Sequence, residues 1–201
     1  MLFSDTYQEI QMDAESALRE RGSRLLAYSF LGKSEIQVKE KLQLLKSKFP
    51  DATHHCYAFV LGQGSEAQRF NDDGEPSGSA GRPILRAILS LQLTNVLVVV
   101  VRYFGGTLLG IPGLIEAYGG AAKLVLIESK VVERLQEEQF KISCSFEHEQ
   151  EIHHLLRGFD ARIASREYSD KIIYTVAVRK NEVMQFESKA EKAYLLEVRV
   201  V

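Results

Sequence analysis

Three short stretches of this chain carry residue types that could do chemistry. The first is His54-His55-Cys56, which offers imidazole nitrogens and a thiol. In a strand, neighbouring side chains face opposite ways. His54 and Cys56 would therefore share one side and His55 the other, and all three could not ligate one ion. The second is Asn71-Asp72-Asp73-Gly74-Glu75-Pro76, running on through Ser77-Gly78-Ser79-Ala80-Gly81-Arg82. Its carboxylates suit a hard cation, although the spacing is not that of an EF-hand. Its small residues lead into a helix and could gather backbone N–H groups around an anion, with Arg82 nearby for charge. The P-loop ending is missing. The third is Arg102-Tyr103-Phe104-Gly105-Gly106, which sets an arginine at the end of an apolar strand. A buried arginine needs a partner, and Asp72, Asp73 and Glu75 are the acids available to it. If the two loops line one cleft, Arg82 and Arg102 could instead read a phosphate.

The elements that must position these groups follow from periodicity. Val96–Val101 is a continuous apolar run, the pattern of a strand buried on both faces. It passes through Gly105-Gly106 into a helix whose start is expected at Pro112-Gly113 and whose body runs over 114–127. Gly119 and Gly120 within that helix imply close packing against a sheet. His54–Leu61 alternates as a strand. His55, Tyr57, Phe59 and Leu61 fall on one face; His54, Cys56, Ala58 and Val60 fall on a second, smaller face that admits a close helix. Leu25–Phe30 is a further strand. Ser34, with Gln37 three residues on, opens a helix that Pro50-Asp51 ends. Residues 84–93 form another helix. Residues 1–14 have no strong period and suggest an extended arm. Residues 62–83 form the longest irregular segment, of a length that is usually functional.

The charged stretch 129–138 marks a boundary, dividing the chain into domains 1–130 and 131–201. The second part has the order strand 139–146, helix 147–158, hairpin 161–168 and 171–178, helix opened by Asn181, and strand 195–201. This β-α-β-β-α-β order is that of a ferredoxin-like domain. The fold class is α+β.

Composition narrows the function classes. The chain has 201 residues and a formal charge of −2. Residues 1–130 hold 14 basic and 14 acidic side chains, and residues 131–201 hold 11 and 13. With no excess of cations, broad electrostatic affinity for nucleic acid is not expected, and RNA contact would need a local patch. No apolar run reaches the length of a membrane span. The first residues lack the order of a signal peptide. The two cysteines lie far apart, so a reducing cytoplasm is expected. There is no nucleophile elbow, zincin helix or paired CxxC.

Taken together, HHCYAF, DDGEPSGSAGRP and VVVRYFGGTLLGIPGLIEAYG resemble the signature of the YigZ/IMPACT (UPF0029) family. The three motifs occur in order, and the resemblance covers roughly residues 15–128. It implies a first domain with the ribosomal-protein-S5 domain-2-like βα sandwich. The tail is similar to the domain that follows it in bacterial members, itself like the last domain of elongation factor G. Eukaryotic members regulate translation, but this chain lacks their N-terminal RWD domain, so their kinase-activator partner does not carry over. The resulting expectation is a non-enzymatic, cytoplasmic, translation-associated regulator that needs no cofactor and binds RNA, the ribosome or a translation factor. The expected binding residues are His54, His55, Asp72, Asp73, Glu75, Ser77, Ser79, Arg82, Arg102, Tyr103, Gly105 and Gly106. The rival expectation is a metal-dependent hydrolase or phosphoryl-transfer enzyme working through Asp72, Asp73 and Glu75, with His54 or His55 as proton carrier.

Overall fold

The structure, a computed structural model, describes residues 5–62, 65 and 67–201. The chain separates into two compact units, Tyr7–Arg134 and Leu135–Val201, the latter with Asp5 and Thr6. Both are built on antiparallel sheets with helices packed against them.

The first unit is organised by a five-stranded sheet. Its strands are β2 (Ala14–Glu20), β3 (Ser23–Leu31), β4 (His54–Leu61), β5 (Ala67–Asn71) and β6 (Val96–Tyr103), in the order β2-β3-β6-β4-β5. β6 is central, which is why its apolar residues are continuous rather than alternating: residues 96–101 are all fully buried. On one face, Cys56, Ala58, Val60, Val96, Val98 and Val100 pack against helices α2 (Gly81–Ser90) and α3 (Gly110–Glu128). On the other, Leu26, Tyr28, Phe59, Leu97 and Val99 pack with Val38 and Leu45 of α1 (Glu35–Lys48). The small and large faces expected for β4 are thus the two faces of this sheet.

Ser34 caps α1 as expected. Its side chain accepts from the Gln37 N–H, and Gln37 reaches back to the Lys33 N–H at 2.8 Å. Helix α3 is long and apolar enough to cross a membrane by length and composition. Its Leu114, Ala117, Tyr118, Ala121, Val125 and Leu126 instead belong to the sheet-packed core, which accounts for the composition.

Several expectations change. Residues 6–10 form β1 and pair with β7 (Val131–Leu135), and β2 begins at Ala14, so the N-terminal arm is structured from Thr6. β2 is an edge strand with only half its side chains facing the core, which weakens its pattern. β5 lies inside the supposedly irregular 62–83 segment; it too is an edge strand and mostly exposed. Gln63, Gly64 and Glu66 of that segment lie outside the described residues. Helix α3 begins at Gly110, two residues before Pro112. Of the two glycines expected to pack closely on the sheet, Gly120 faces Leu18 of β2 and Gly119 faces Pro83 of α2, and a Cβ at either would make an ordinary contact at 3.7 Å.

The second unit has a four-stranded sheet in the order β11-β8-β10-β9. The strands are β8 (Glu137–Cys144), β9 (Arg162–Tyr168), β10 (Ile172–Arg179) and β11 (Glu197–Val200), and α4 (Glu149–Leu156) and α5 (Val183–Ala190) complete it. The element order is therefore β-α-β-β-α-β. Asn181 does not cap α5; it lies in a 3₁₀ turn, Lys180–Glu182, and Glu182 holds the cap position. Phe140, Ile142, Tyr174, Val176 and Phe186 form this unit's own core.

Candidate functional site

The acidic loop and the end of β6 meet, and what joins them is an internal network. Arg102 is only 5% exposed. Its Nη1 donates to Glu75 Oε1 at 2.5 Å and its Nη2 to Ser23 Oγ at 3.2 Å. Tyr118 of α3 donates to the same Glu75 oxygen at 2.8 Å. Burial pushes the Tyr118 phenol far up, so it remains a donor. Register explains how these groups meet. Arg102 pairs across the sheet with His54 on one side and Leu25 on the other, beside the β2–β3 turn that supplies Ser23. Arg102 thus finds its expected acid in Glu75, and as a buried, paired cation it is not a free reader of phosphate.

Asp72 and Asp73 are committed differently. Asp72 Oδ1 accepts from the Ala80 and Gly81 N–H groups, and Oδ2 accepts from the Gly78 N–H at 2.8 Å. The concavity expected to hold an anion holds the chain's own Asp72 carboxylate, at the start of α2. Asp73 Oδ2 accepts from the His55 N–H at 2.7 Å. The three carboxylates thus have three different sets of protein partners. Among the described residues, no group of three His, Cys, Asp or Glu side chains is arranged to hold a metal ion. The residues do not fit the metal-dependent reading.

The remaining expected site residues divide into framework and surface. Gly105 lies against the β2–β3 turn, where a Cβ would come within 1.9 Å of the Gly22 carbonyl carbon. Gly106 has φ +83° and open space around it. Tyr103 donates to Asp51 at 3.0 Å. Ser79 is buried and donates to the Pro76 carbonyl, whereas Ser77 is exposed. Arg82 is exposed, with its guanidinium over the Phe70 ring. His55 is buried, and desolvation holds its imidazole below the ordinary value despite nearby Asp73. Cys56 donates to the Asp72 carbonyl, and burial pushes its thiol up to about 12, which makes it inert.

One open feature remains beside this network. A cavity of about 410 Å³ has His54, Glu75 and Arg102 among its lining residues, and apolar walls that include Phe104, Leu108 and Ile111. Leu108 is 83% exposed, Ile111 56% and Phe104 45%. His54 Nδ1 lies 2.7 Å from the Asp73 carbonyl. A carbonyl only accepts, so Nδ1 carries the hydrogen. His54 Nε2 lies 3.8 Å from Glu75 Oε1.

The apolar walls were missing from the expected site. Their sequence signal is the run Leu108-Leu109-Gly110-Ile111, three large aliphatic residues leading into and opening α3, where polar capping residues would be ordinary.

Comparison with known proteins covers both units. Residues 21–126 match the Impact N-terminal domain, and residues 142–191 match a domain of unknown function, DUF1949. The IMPACT family member YigZ of Escherichia coli is 33% identical over 153 residues, 75% of each chain. The Protein IMPACT homolog of Saccharomyces cerevisiae is 35% identical over 100 residues, 48% of this chain and 39% of its own length. A solved structure described as that of a hypothetical protein is 27% identical, covers 98% of both chains and superposes with a TM-score of 0.71.

Proposed function

This chain belongs to the IMPACT family, as a YigZ-like bacterial member, and on that premise we propose that it is a cytoplasmic, translation-associated regulatory protein. It acts by binding a protein component of the translation machinery, a factor or a ribosomal protein. The observation that carries this reading is the cavity flanked by exposed Phe104, Leu108 and Ile111, beside charged groups that already have internal partners. Exposed apolar side chains gathered at one concavity are a feature of protein-contact sites. An RNA-phosphate site would need free cations, and Arg102 is not one. The S5-domain-2-like sandwich for the first unit and the ferredoxin-like fold for the second belong to the same proposal. The β-α-β-β-α-β order with strands arranged β11-β8-β10-β9 supports the latter.

The test is co-sedimentation of the purified protein with ribosomes and, separately, pull-down of purified translation factors. Binding should fall about tenfold or more in Leu108→Glu, which places a charge on an exposed apolar rim. It should be unchanged in Lys39→Ala. It should also change little as salt is raised, whereas phosphate-driven binding would collapse. Absence of binding to every such component, or binding that Leu108→Glu leaves intact, overturns the reading.

A further inference from the structure

The five- and four-stranded sheets both end in strands whose outer edges could take another strand, and one of those edges is left open. β2 pairs with β3 over all seven residues, Ala14–Glu20, in one unbroken register. No other strand among the described residues pairs with it. The other edges of these two sheets are guarded. β5 and β11 are short, at five and four residues, and the pairing of β9 is interrupted by a register shift at Thr175 and Val176. β2 contains no proline, and among the described residues no backbone hydrogen bond outside the sheet involves residues 14–20. In an antiparallel pair every second residue turns its N–H and C=O away from its partner. A row of such groups therefore points outward along β2, a template for a further strand.

The side chains beside that edge select which strand. Residues opposite one another in a ladder share a face. Glu15, Ala17 and Arg19 thus lie on the α1 side of the sheet with their partners Tyr28, Leu26 and Arg24. Arg19 and Arg24 are exposed and directly opposite each other, and among the described residues neither has a carboxylate partner. Like charges so placed repel. Two residues along, the small Ala17 borders a cavity of about 480 Å³ lined by Leu26, Tyr28 and Phe49, with Arg24, Lys48 and Glu15 around them. Nucleic acid suits this surface poorly. Bases need open ring faces to stack on, and Tyr28 is only 8% exposed. Glu15 also interrupts the positive charge that a phosphate backbone would follow.

We propose that the β2 edge accepts an extended segment of a protein partner as a sixth strand. The segment sets a carboxylate beside Arg19 and Arg24. Two residues along, a bulky aliphatic side chain passes over Ala17 into the cavity. Two residues further, beside Glu15, stands a cation. Charges of both signs on β2 discourage an indifferent strand and admit one with the complementary order. This is a second contact surface, separate from the Phe104–Leu108 cavity and independent of it.

Two acetylated, amidated heptapeptides test the proposal on the full chain, one for each strand direction: Thr-Glu-Thr-Ile-Thr-Lys-Thr and its reverse. Binding is followed through the protein's amide chemical shifts by NMR. At least one peptide should give saturable shifts centred on residues 14–20. Replacing its Glu by Gln should weaken binding about three- to fivefold, and replacing its Ile by Ala about tenfold or more. N-methylating either the four Thr residues or the Glu, Ile and Lys residues blocks opposite edges of the peptide, and only one of these patterns should abolish binding. In Arg19→Glu, an exposed substitution, a peptide with Lys in place of Glu should bind more tightly than the acidic one. Leu108→Glu should leave peptide binding unchanged. Absence of saturable shifts with either order overturns the proposal. Equal effects of the two methylation patterns overturn strand addition, and equal affinity of the Gln peptide overturns the acidic requirement. If a polyuridylate oligonucleotide shifts residues 14–20 and neither peptide does, the edge is a nucleic-acid contact and the proposal fails. Loss of ribosome or factor binding in Leu108→Glu alongside silent peptides leaves the earlier reading standing and sinks only this one.

Discussion

At residue scale, one oxygen of Glu75 accepts from both Arg102 and Tyr118 inside the core. A buried ion pair adds little net stability compared with apolar residues of the same volume, because both charges must leave water. Breaking it is costly. Glu75→Gln should lower stability by about 3–5 kcal/mol, since it leaves Arg102 buried without a counter-charge. The Glu75→Leu/Arg102→Met double variant should lose less than the sum of its single variants. Urea unfolding of the unaltered protein, Glu75→Gln, the two single variants Glu75→Leu and Arg102→Met, and the double variant checks both statements. A second residue-scale prediction concerns His55, whose buried imidazole has its pKa held down by desolvation. The unfolded chain then binds a proton more readily than the folded one. This contribution to stability is therefore complete above the ordinary value of 6.5 and is lost as pH falls from there toward the lower folded value. Urea midpoints measured from pH 8 to pH 5 should fall in this window, and His55→Gln should flatten that part of the curve.

At the scale of elements, glycines have opposite roles in two places. Gly22 and Gly105 bring the β2–β3 turn and the end of β6 into backbone contact, with no room for a Cβ at Gly105. Gly119 lies in the middle of α3, where an added Cβ would make an ordinary contact. Gly105→Ala should therefore lower the melting temperature markedly. Gly119→Ala should raise stability by about 0.5–1 kcal/mol, because it removes a helix-interior glycine without a clash. Thermal melts of both variants decide whether close approach or helix propensity governs each site. The same packing positions the site: the contact at Gly22 sets the β2–β3 turn, and Ser23 next to it accepts from Arg102.

For the whole molecule, the division into units has a functional consequence. The His54–Glu75–Arg102 floor and the Phe104–Leu114 wall belong entirely to Tyr7–Arg134, which has its own cores on both faces of its sheet. A fragment of residues 7–134 should unfold cooperatively by circular dichroism, as an independent domain does. It should also retain binding to whichever translation component the full chain captures. Loss of that binding in a folded fragment would move the contact to residues 135–201.

Much of the architecture could be read before any coordinates. The valine run of β6, the small and large faces of β4, the Ser34 cap and the β-α-β-β-α-β order of the second unit are local patterns, set by side-chain period and capping chemistry. Edge strands β2 and β5 were less legible, because half-exposed strands need little hydrophobic alternation. The site divides along the same line. That Arg102 needs an acid follows from its place at the end of a buried strand. That the acid is Glu75, while Asp72 closes the start of α2, depends on which oxygens the loop's turns bring within reach. The cavity was legible only as three aliphatic residues in an unexpected place. The sequence by itself determined the elements, their faces and the set of groups that had to be neutralised, because those depend on neighbours within a few positions. Only the tertiary structure decided which acid pairs with Arg102 and which concavity remains open, because those depend on distances between residues far apart in the chain.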